Sequence, residues 1–219
     1  MSSLLIICGH YGVGKTNLSV NVAIESARSG KRTVLIDLDT VNPYFRSSDH
    51  RAVLEKDNVE LVVPEFANTN VESLFVPHMD LTFDDGKFTI IDVGGDDAGA
   101  TVLGRYSNTI KERGYEMWYV INKNRPMTSE AEDTAEMLRS IEKACRLEAT
   151  GIVNNSHLKE YTTIDTIKDS AEYAEKVSRT TGLPIVRTTC PKGISGKEQN
   201  IIPLYPVDIY VRTPWDTEE

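Results

Sequence analysis

Residues 9 to 16, Gly9-His10-Tyr11-Gly12-Val13-Gly14-Lys15-Thr16, stand between an apolar run, Leu4 to Cys8, and a segment whose apolar residues Leu18, Val22, Ala23 and Ala27 recur at helical spacing. The string fits the pattern GxxxxGKS/T, and a chance match in a chain this long is on the order of one percent at background residue frequencies. A strand before it and a helix after it turn the match into a mechanism. The glycines open backbone angles closed to other residues, so that several N–H groups converge on an anionic oxygen. The helix N-terminus adds a favourable dipole. Lys15 is placed to reach β- and γ-phosphates, and Thr16 to put its hydroxyl on Mg²⁺.

The remaining pattern fixes the fold class. Leu4 to Cys8, Thr33 to Leu38, Phe88 to Val93, Met117 to Ile121, Gly151 to Val153 and a strand beginning at Pro184 to Val186 read as short buried strands. Between them lie a helix from Gly14 to Arg28, stopped by Gly30, and a helix with the core face Ala131, Ala135, Leu138, Ile141 and Cys145. A third helical stripe runs through Ile164, Ile167, Ala171, Ala174 and Val177. Ser129 and Glu132 have capping-box spacing. Asp84-Asp85-Gly86 signals a turn from an edge strand at Leu81 to Phe83. A helix near Ser48 to Leu54 and a strand at Leu61 to Val63 are weaker readings, and Gly94 to Gly104 is a glycine-rich stretch that follows the strand ending at Val93. Strict alternation predicts a single α/β domain over residues 1–219, a doubly wound, mainly parallel sheet with helices on both faces in three layers. Its site is then made by loops at the carboxyl ends of strands. Asp37, Asp39 and Asp92 fall at such ends, where a carboxylate beside a phosphate is tolerated with a divalent ion between them or a water to orient.

Composition narrows the partners. A net charge of −9 repels phosphate backbones and anionic lipid surfaces at long range, so nucleic acid is not expected. Cys8, Cys145 and Cys190 are odd in number and lack metal-ligand spacing, which predicts a reduced, cytoplasmic setting. The N-terminus lacks a secretory pattern, no apolar stretch approaches the roughly 20 residues of a membrane span, and the tail lacks a basic amphipathic helix. Membrane association is therefore not expected. His50, His78 and His157 share no ligand spacing, and Cys190 reads as a small buried hydrophobe.

Gly9 to Asn17, Val34 to Asp39 followed by Asn42-Pro43, and Ile90 to Gly95 resemble, in order and spacing, the phosphate loop and two switches of the MinD/ParA-like proteins, the SIMIBI-class P-loop family that includes the nitrogenase iron protein. The resemblance implies that Gly9 to Asn17 hold the nucleotide, that Asp39 polarises the attacking water, and that Thr16 binds Mg²⁺ directly. It also implies that Asp37 and Asp92 hold the metal's water shell, that Asn155 contacts adenine, and that main chain near Cys190 and Pro191 holds the base. The sequence departs from the family at position 10, where dimerising members carry a second lysine. His10 has no permanent charge near neutral pH, which sets the expectation of a nucleotide-dependent homodimer against a missing reciprocal cation. Tyr11 replaces a glycine common in the family, which keeps dethiobiotin-synthetase-like ligases in view.

Base choice follows from what is absent. Guanine readers place an Asp at the fourth position of an NKxD-type segment. Asn122-Lys123-Asn124-Arg125 and Asn154-Asn155-Ser156-His157 offer Arg and His there. Guanine donors left unpaired cost roughly 1–3 kcal/mol, so ATP is the expected nucleotide. Asp96, Asp97 and the Asn42-Pro43-Tyr44-Phe45-Arg46 stretch are secondary candidates, Arg46 as a phosphate clamp. The leading expectation is a Mg²⁺-dependent ATPase whose nucleotide state sets two loops that regulate a protein partner. The alternatives are an ATP-dependent ligase or kinase with a small acceptor beside Asp96 and Arg46, and a nucleotide-bound module with negligible hydrolysis.

Overall fold

The structure, a computed structural model, describes residues 3–38, 50–63, 86–95, 97–158, 161–194 and 204–211. The first apolar run is strand β1 (Leu4–Cys8), and its residues alternate between two cores. Leu5 and Ile7 pack with helix α1 (Lys15–Arg28), whereas Leu4, Ile6 and Cys8 face the opposite layer. Burial on both faces is why the run is continuously apolar rather than alternating. Gly30, with φ 88°, stops α1: its N–H donates to Ala27 O at 2.9 Å, and that of Lys31 donates to Ser26 O at 3.2 Å.

Around β1 lie β2 (Arg32–Leu38), β3 (Glu60–Val62), β4 (Lys87–Val93), β5 (Glu116–Ile121), β6 (Gly151–Asn154), β7 (Ile185–Pro191) and β8 (Leu204–Val207). They form one eight-stranded sheet in the order β3-β2-β4-β1-β5-β6-β7-β8, and every pairing is parallel. Helices α1 and α2 (Arg51–Lys56) cover one face. The other face carries α3 (Asp97–Arg105), α4 (Ser107–Arg113), α5 (Ala131–Cys145) and α7 (Ala171–Thr181), the last following the short α6 (Ile164–Asp169). The predicted doubly wound three-layer fold is what forms. From β1 the chain steps to one side for β2 to β4 and to the other for β5 onward, so the sheet changes winding direction beside β1, where such sheets bind ligands. Among the described residues no helix is long and apolar enough to cross a membrane.

Several local expectations are corrected. Ser129 does not cap α5: its hydroxyl donates to Pro126 O at 3.2 Å, closing the 3-10 turn Pro126–Thr128, and the N-cap is Glu130 with no side-chain bond. Proline at the start of that turn claims the serine that the spacing assigned to a capping box. The box that does form joins Thr163 and Thr166 at the start of α6. The single stripe from Ile164 to Val177 splits at Ser170, whose hydroxyl donates to Ile167 O at 2.7 Å and accepts from Asn154 Nδ2 at 2.9 Å. The glycine-rich stretch is helical from Asp97, and its glycines serve contact rather than mobility. A Cβ on Gly104 would come 2.7 Å from Ala144 O, so α3 and α5 meet backbone to backbone there. The helix near residue 50 begins at Arg51, the strand near 61 is Glu60–Val62, and Leu81 to Phe83 lie outside the described residues.

The loop after β5 is pinned from below by buried polar groups. Thr128, wholly buried, donates its hydroxyl to Asn122 O at 3.0 Å, and its carbonyl accepts the hydroxyls of Thr134 and Tyr173. Tyr119, also buried, donates to Thr134 O at 2.8 Å, and burial pushes its phenol above the usual tyrosine range. Thr128→Val keeps the volume and removes one donor. It should cost about 1–3 kcal/mol, read as a lower denaturant midpoint at an unchanged m value.

Candidate functional site

Helix α1 opens without a side-chain cap. Gly14, with φ 93°, is the N-cap, and the first intrahelical bond runs from Leu18 N–H to Gly14 O at 3.1 Å. The N–H groups of the first turn therefore point out of the helix at the carboxyl edge of the sheet, an anion site by geometry and dipole. Lys15 and Thr16 are both buried. The Lys15 ammonium folds back on the loop and donates to His10 O at 3.0 Å, which encloses the space above the amides. His10 is half-buried with Nδ1 3.1 Å from Tyr11 O, while Tyr11 is 53% exposed.

Two neighbouring loops are fitted against this one. A Cβ on Gly95 would lie 2.5 Å from Tyr11 N and 3.0 Å from Lys15 Nζ, so the end of β4 presses its backbone onto the phosphate loop. On the other side, Asn155 donates to Val13 O at 2.7 Å and accepts the hydroxyl of Thr189 from β7. Its amide nitrogen stands 2.3 Å from where a Gly14 Cβ would be, so position 14 admits only glycine, by space as well as by φ. Asn154 turns away to Ser170, making Asn155 the anchor and Leu158 the fourth position counted from it. Leu158 is apolar and 46% exposed, and supplies no carboxylate.

The acidic pair follows from strand period. Leu35 and Ile90 face α1, so Asp37 and Asp92, two residues further along β2 and β4, emerge on the same face. They are register partners and essentially fully buried. Two adjacent carboxylates in a low dielectric repel each other, and a cation between or beside them would relieve that repulsion. With the Thr16 hydroxyl on α1, this all-oxygen donor set fits Mg²⁺, which keeps waters and takes few protein ligands. Among the described residues no group of three or more His, Cys, Asp or Glu could hold a metal ion.

Other predicted residues have different surroundings. The Asn17 side chain faces the C-terminal segment, accepting from the N–H of Tyr210 at 2.8 Å and Val211 at 3.2 Å and donating to Asp208 O at 3.0 Å; only its main chain faces the loop. Pro191 ends β7, its carbonyl accepting Ile194 N–H at 3.0 Å. Cys190 is buried, and burial pushes the thiols of Cys8, Cys145 and Cys190 up, leaving them inert. Asp39, Asn42 to Arg46, Asp96, His78 and the last eight residues lie outside the described residues. Sequence reasoning passed over Gly95 as a contact and Asn155 as a brace. The spacing of Gly95 from Asp92 and the position of Asn155 after β6 were the available signals.

An uncapped helix behind a glycine-rich loop, two buried aspartates at strand ends and a parallel sheet wound both ways from β1 define a P-loop nucleotide-binding domain of the SIMIBI class. Residues 4–189 match the family model described as the CobQ/CobB/MinD/ParA nucleotide binding domain, and the chain belongs to that family. No curated protein matches it. Among solved structures, cell division protein FtsY from Thermotoga maritima aligns with TM-score 0.57 and 18% identity, over 84% of this chain and 60% of that one. FtsY from Mycoplasma mycoides aligns with TM-score 0.55 and 15% identity, over 83% and 58%. The signal recognition particle 54 kDa protein from Aeropyrum pernix, solved with GDP, aligns with TM-score 0.53 and 18% identity, over 83% and 40%. The chain thus spans at most about three fifths of the length of these structures, and the likeness is one of fold. If the β4 loop must touch the phosphate loop for the site to close, Gly95→Ala should lower nucleotide affinity roughly tenfold. Titration with a fluorescent nucleotide checks this, with the circular dichroism spectrum unchanged.

Proposed function

We propose that the chain binds Mg²⁺-ATP at the phosphate loop, hydrolyses it, and uses the nucleotide state to set the loops after β2 and β4 that regulate a protein partner. The observation that carries this reading is the closed constellation of uncapped helix N-terminus, folded-back Lys15 and Gly95 pressed onto the loop. Main-chain amides from Gly9 to Asn17 hold the phosphates. Lys15 meets the β- and γ-oxygens; the Thr16 hydroxyl would hold Mg²⁺ directly, and Asp37 and Asp92 its water shell, where the ion would supply positive charge against the phosphates. Asp39 orients a water whose oxygen attacks the γ-phosphorus. The bond to the bridging oxygen breaks toward ADP, and the water's proton leaves with inorganic phosphate.

Adenine is favoured because neither Asn122-Lys123-Asn124-Arg125 nor the stretch from Asn154 to Leu158 offers the carboxylate that would pair guanine's donors. Asn155 and the main chain near Pro191 border the base. A partner is supported by the surface: of the five exposed large hydrophobics among the described residues, Tyr11, Met127, Leu158 and Tyr161 all lie on loops at the carboxyl edge of the sheet. A second copy of the chain is one such partner, its association dependent on nucleotide.

Calorimetry with ATP, GTP and their diphosphates, with and without Mg²⁺, tests this. ATP should bind more tightly than GTP and need Mg²⁺, Lys15→Ala should abolish triphosphate binding, and Asp39→Ala should keep binding while losing phosphate release. Tighter binding of GTP, or no binding by the parent chain, overturns the reading.

A further inference from the structure

The segment Asn122-Lys123-Asn124-Arg125 offers no base-reading carboxylate, and its arginine has a different place. A Cβ built on Gly12 would meet Arg125 Cζ at 3.4 Å, Nε at 3.5 Å and Nη1 at 3.7 Å. Three guanidinium atoms nearly equidistant from one point mean that the planar group lies face-on over the middle of the phosphate loop. We propose that Arg125 is the second cation of this site, delivered in cis from the loop after β5 to the open side of the phosphate loop, where it contacts phosphate oxygens of the bound nucleoside triphosphate. The inference rests on the reading above and adds a residue to it.

The position is built. Arg125 precedes Pro126, which restricts it to the extended backbone it adopts, φ −113° and ψ 127°. Its N–H donates to Asn122 O at 3.2 Å and its carbonyl accepts Thr128 N–H at 3.0 Å. Asn122, 2% exposed, accepts Asn124 N–H on Oδ1 at 2.9 Å, and Lys123 N–H donates to Ser156 Oγ at 2.9 Å, tying the turn to the end of β6. The backbone is thus fixed while the side chain stays exposed over Gly12. Among the described residues no carboxylate forms an ion pair with Arg125, whereas Arg28 is held bidentately by Asp57 at 2.7 and 2.9 Å.

The two cations flank the loop. Lys15 lies on the side covered by Gly95, and Arg125 lies across Gly12. Position 10 carries an imidazole in place of an ammonium, so Arg125 is the permanent charge on the open side. A guanidinium offers donors in a fixed fork that matches two phosphate oxygens, which an ammonium cannot reproduce.

The test measures Mg²⁺-ATP and Mg²⁺-ADP affinity and phosphate release for the parent chain, Arg125→Ala, Arg125→Lys, His10→Ala and Lys15→Ala, each at low and high salt. Arg125→Ala should weaken ATP binding about tenfold and flatten its salt dependence. Arg125→Lys should recover part of the affinity, and His10→Ala should lose less than Arg125→Ala. Melting temperature should be unchanged, since the guanidinium is exposed. If Arg125→Ala binds and turns over like the parent while Lys15→Ala does not, the inference fails and the site assignment stands. If the parent binds no nucleotide, both fail. If Arg125→Ala lowers the melting temperature and weakens ATP binding while Arg125→Lys restores stability without affinity at either salt, a packing role replaces the proposed one.

Discussion

Gly14, the N-cap of α1, offers no side chain to the N–H groups of the first turn, which have no acceptor within the helix. Leaving them so is a cost in a folded chain, and the surrounding structure is arranged to keep that cost rather than remove it. Gly14 takes a left-handed angle to start the helix, and Asn155 fills the space a side chain would have occupied. The Asn155 amide also holds Val13 O, so the loop cannot relax by turning its carbonyls inward. An anion is the group that such an arrangement completes.

Around that centre, charges are placed by periodicity. The alternation of β2 and β4 delivers Asp37 and Asp92 to the α1 face as a register pair, one strand spacing apart, beneath the loop that carries Lys15. Lys15 opens the helix that follows β1, and the two carboxylates come from the ends of β2 and β4. The reversal of strand order beside β1 is what lets loops from both halves of the sheet converge.

Much of this was legible in the sequence because it rests on short-range pattern. Leu4 to Cys8 read as a strand buried on both faces since nothing polar interrupts it, and Gly14 to Arg28 as a helix because one face is apolar and Gly30 ends it. What could not be read depends on residues that meet only in three dimensions. Ser129 has capping-box spacing, yet the nearer carbonyl of Pro126 wins its hydroxyl. Gly99 and Gly104 resemble loop glycines, but in α3 they let that helix approach Gly94 and Ala144 more closely than any side chain permits. Asn154 and Asn155 are chemically identical neighbours. Strand alternation sends the first to Ser170 and leaves the second, just past the strand end, to the phosphate loop.

The same logic explains why the N-terminal motif needs the far end of the chain. Asn17 and Asn21 lie one turn apart on α1, and each spends its amide on the segment after β8: Asn17 on Asp208 O and the N–H groups of Tyr210 and Val211, Asn21 on both backbone groups of Asp208. Lower on the helix, Glu25 accepts the Tyr205 hydroxyl. Asn17 and Asn21 thus hold the segment after β8 against the helix, satisfying backbone groups of Asp208, Tyr210 and Val211, while Glu25 fixes a side chain of β8 itself. Because Asn17 is the residue after Thr16, its side chain ties residues 208, 210 and 211 to the helix start that follows the phosphate loop.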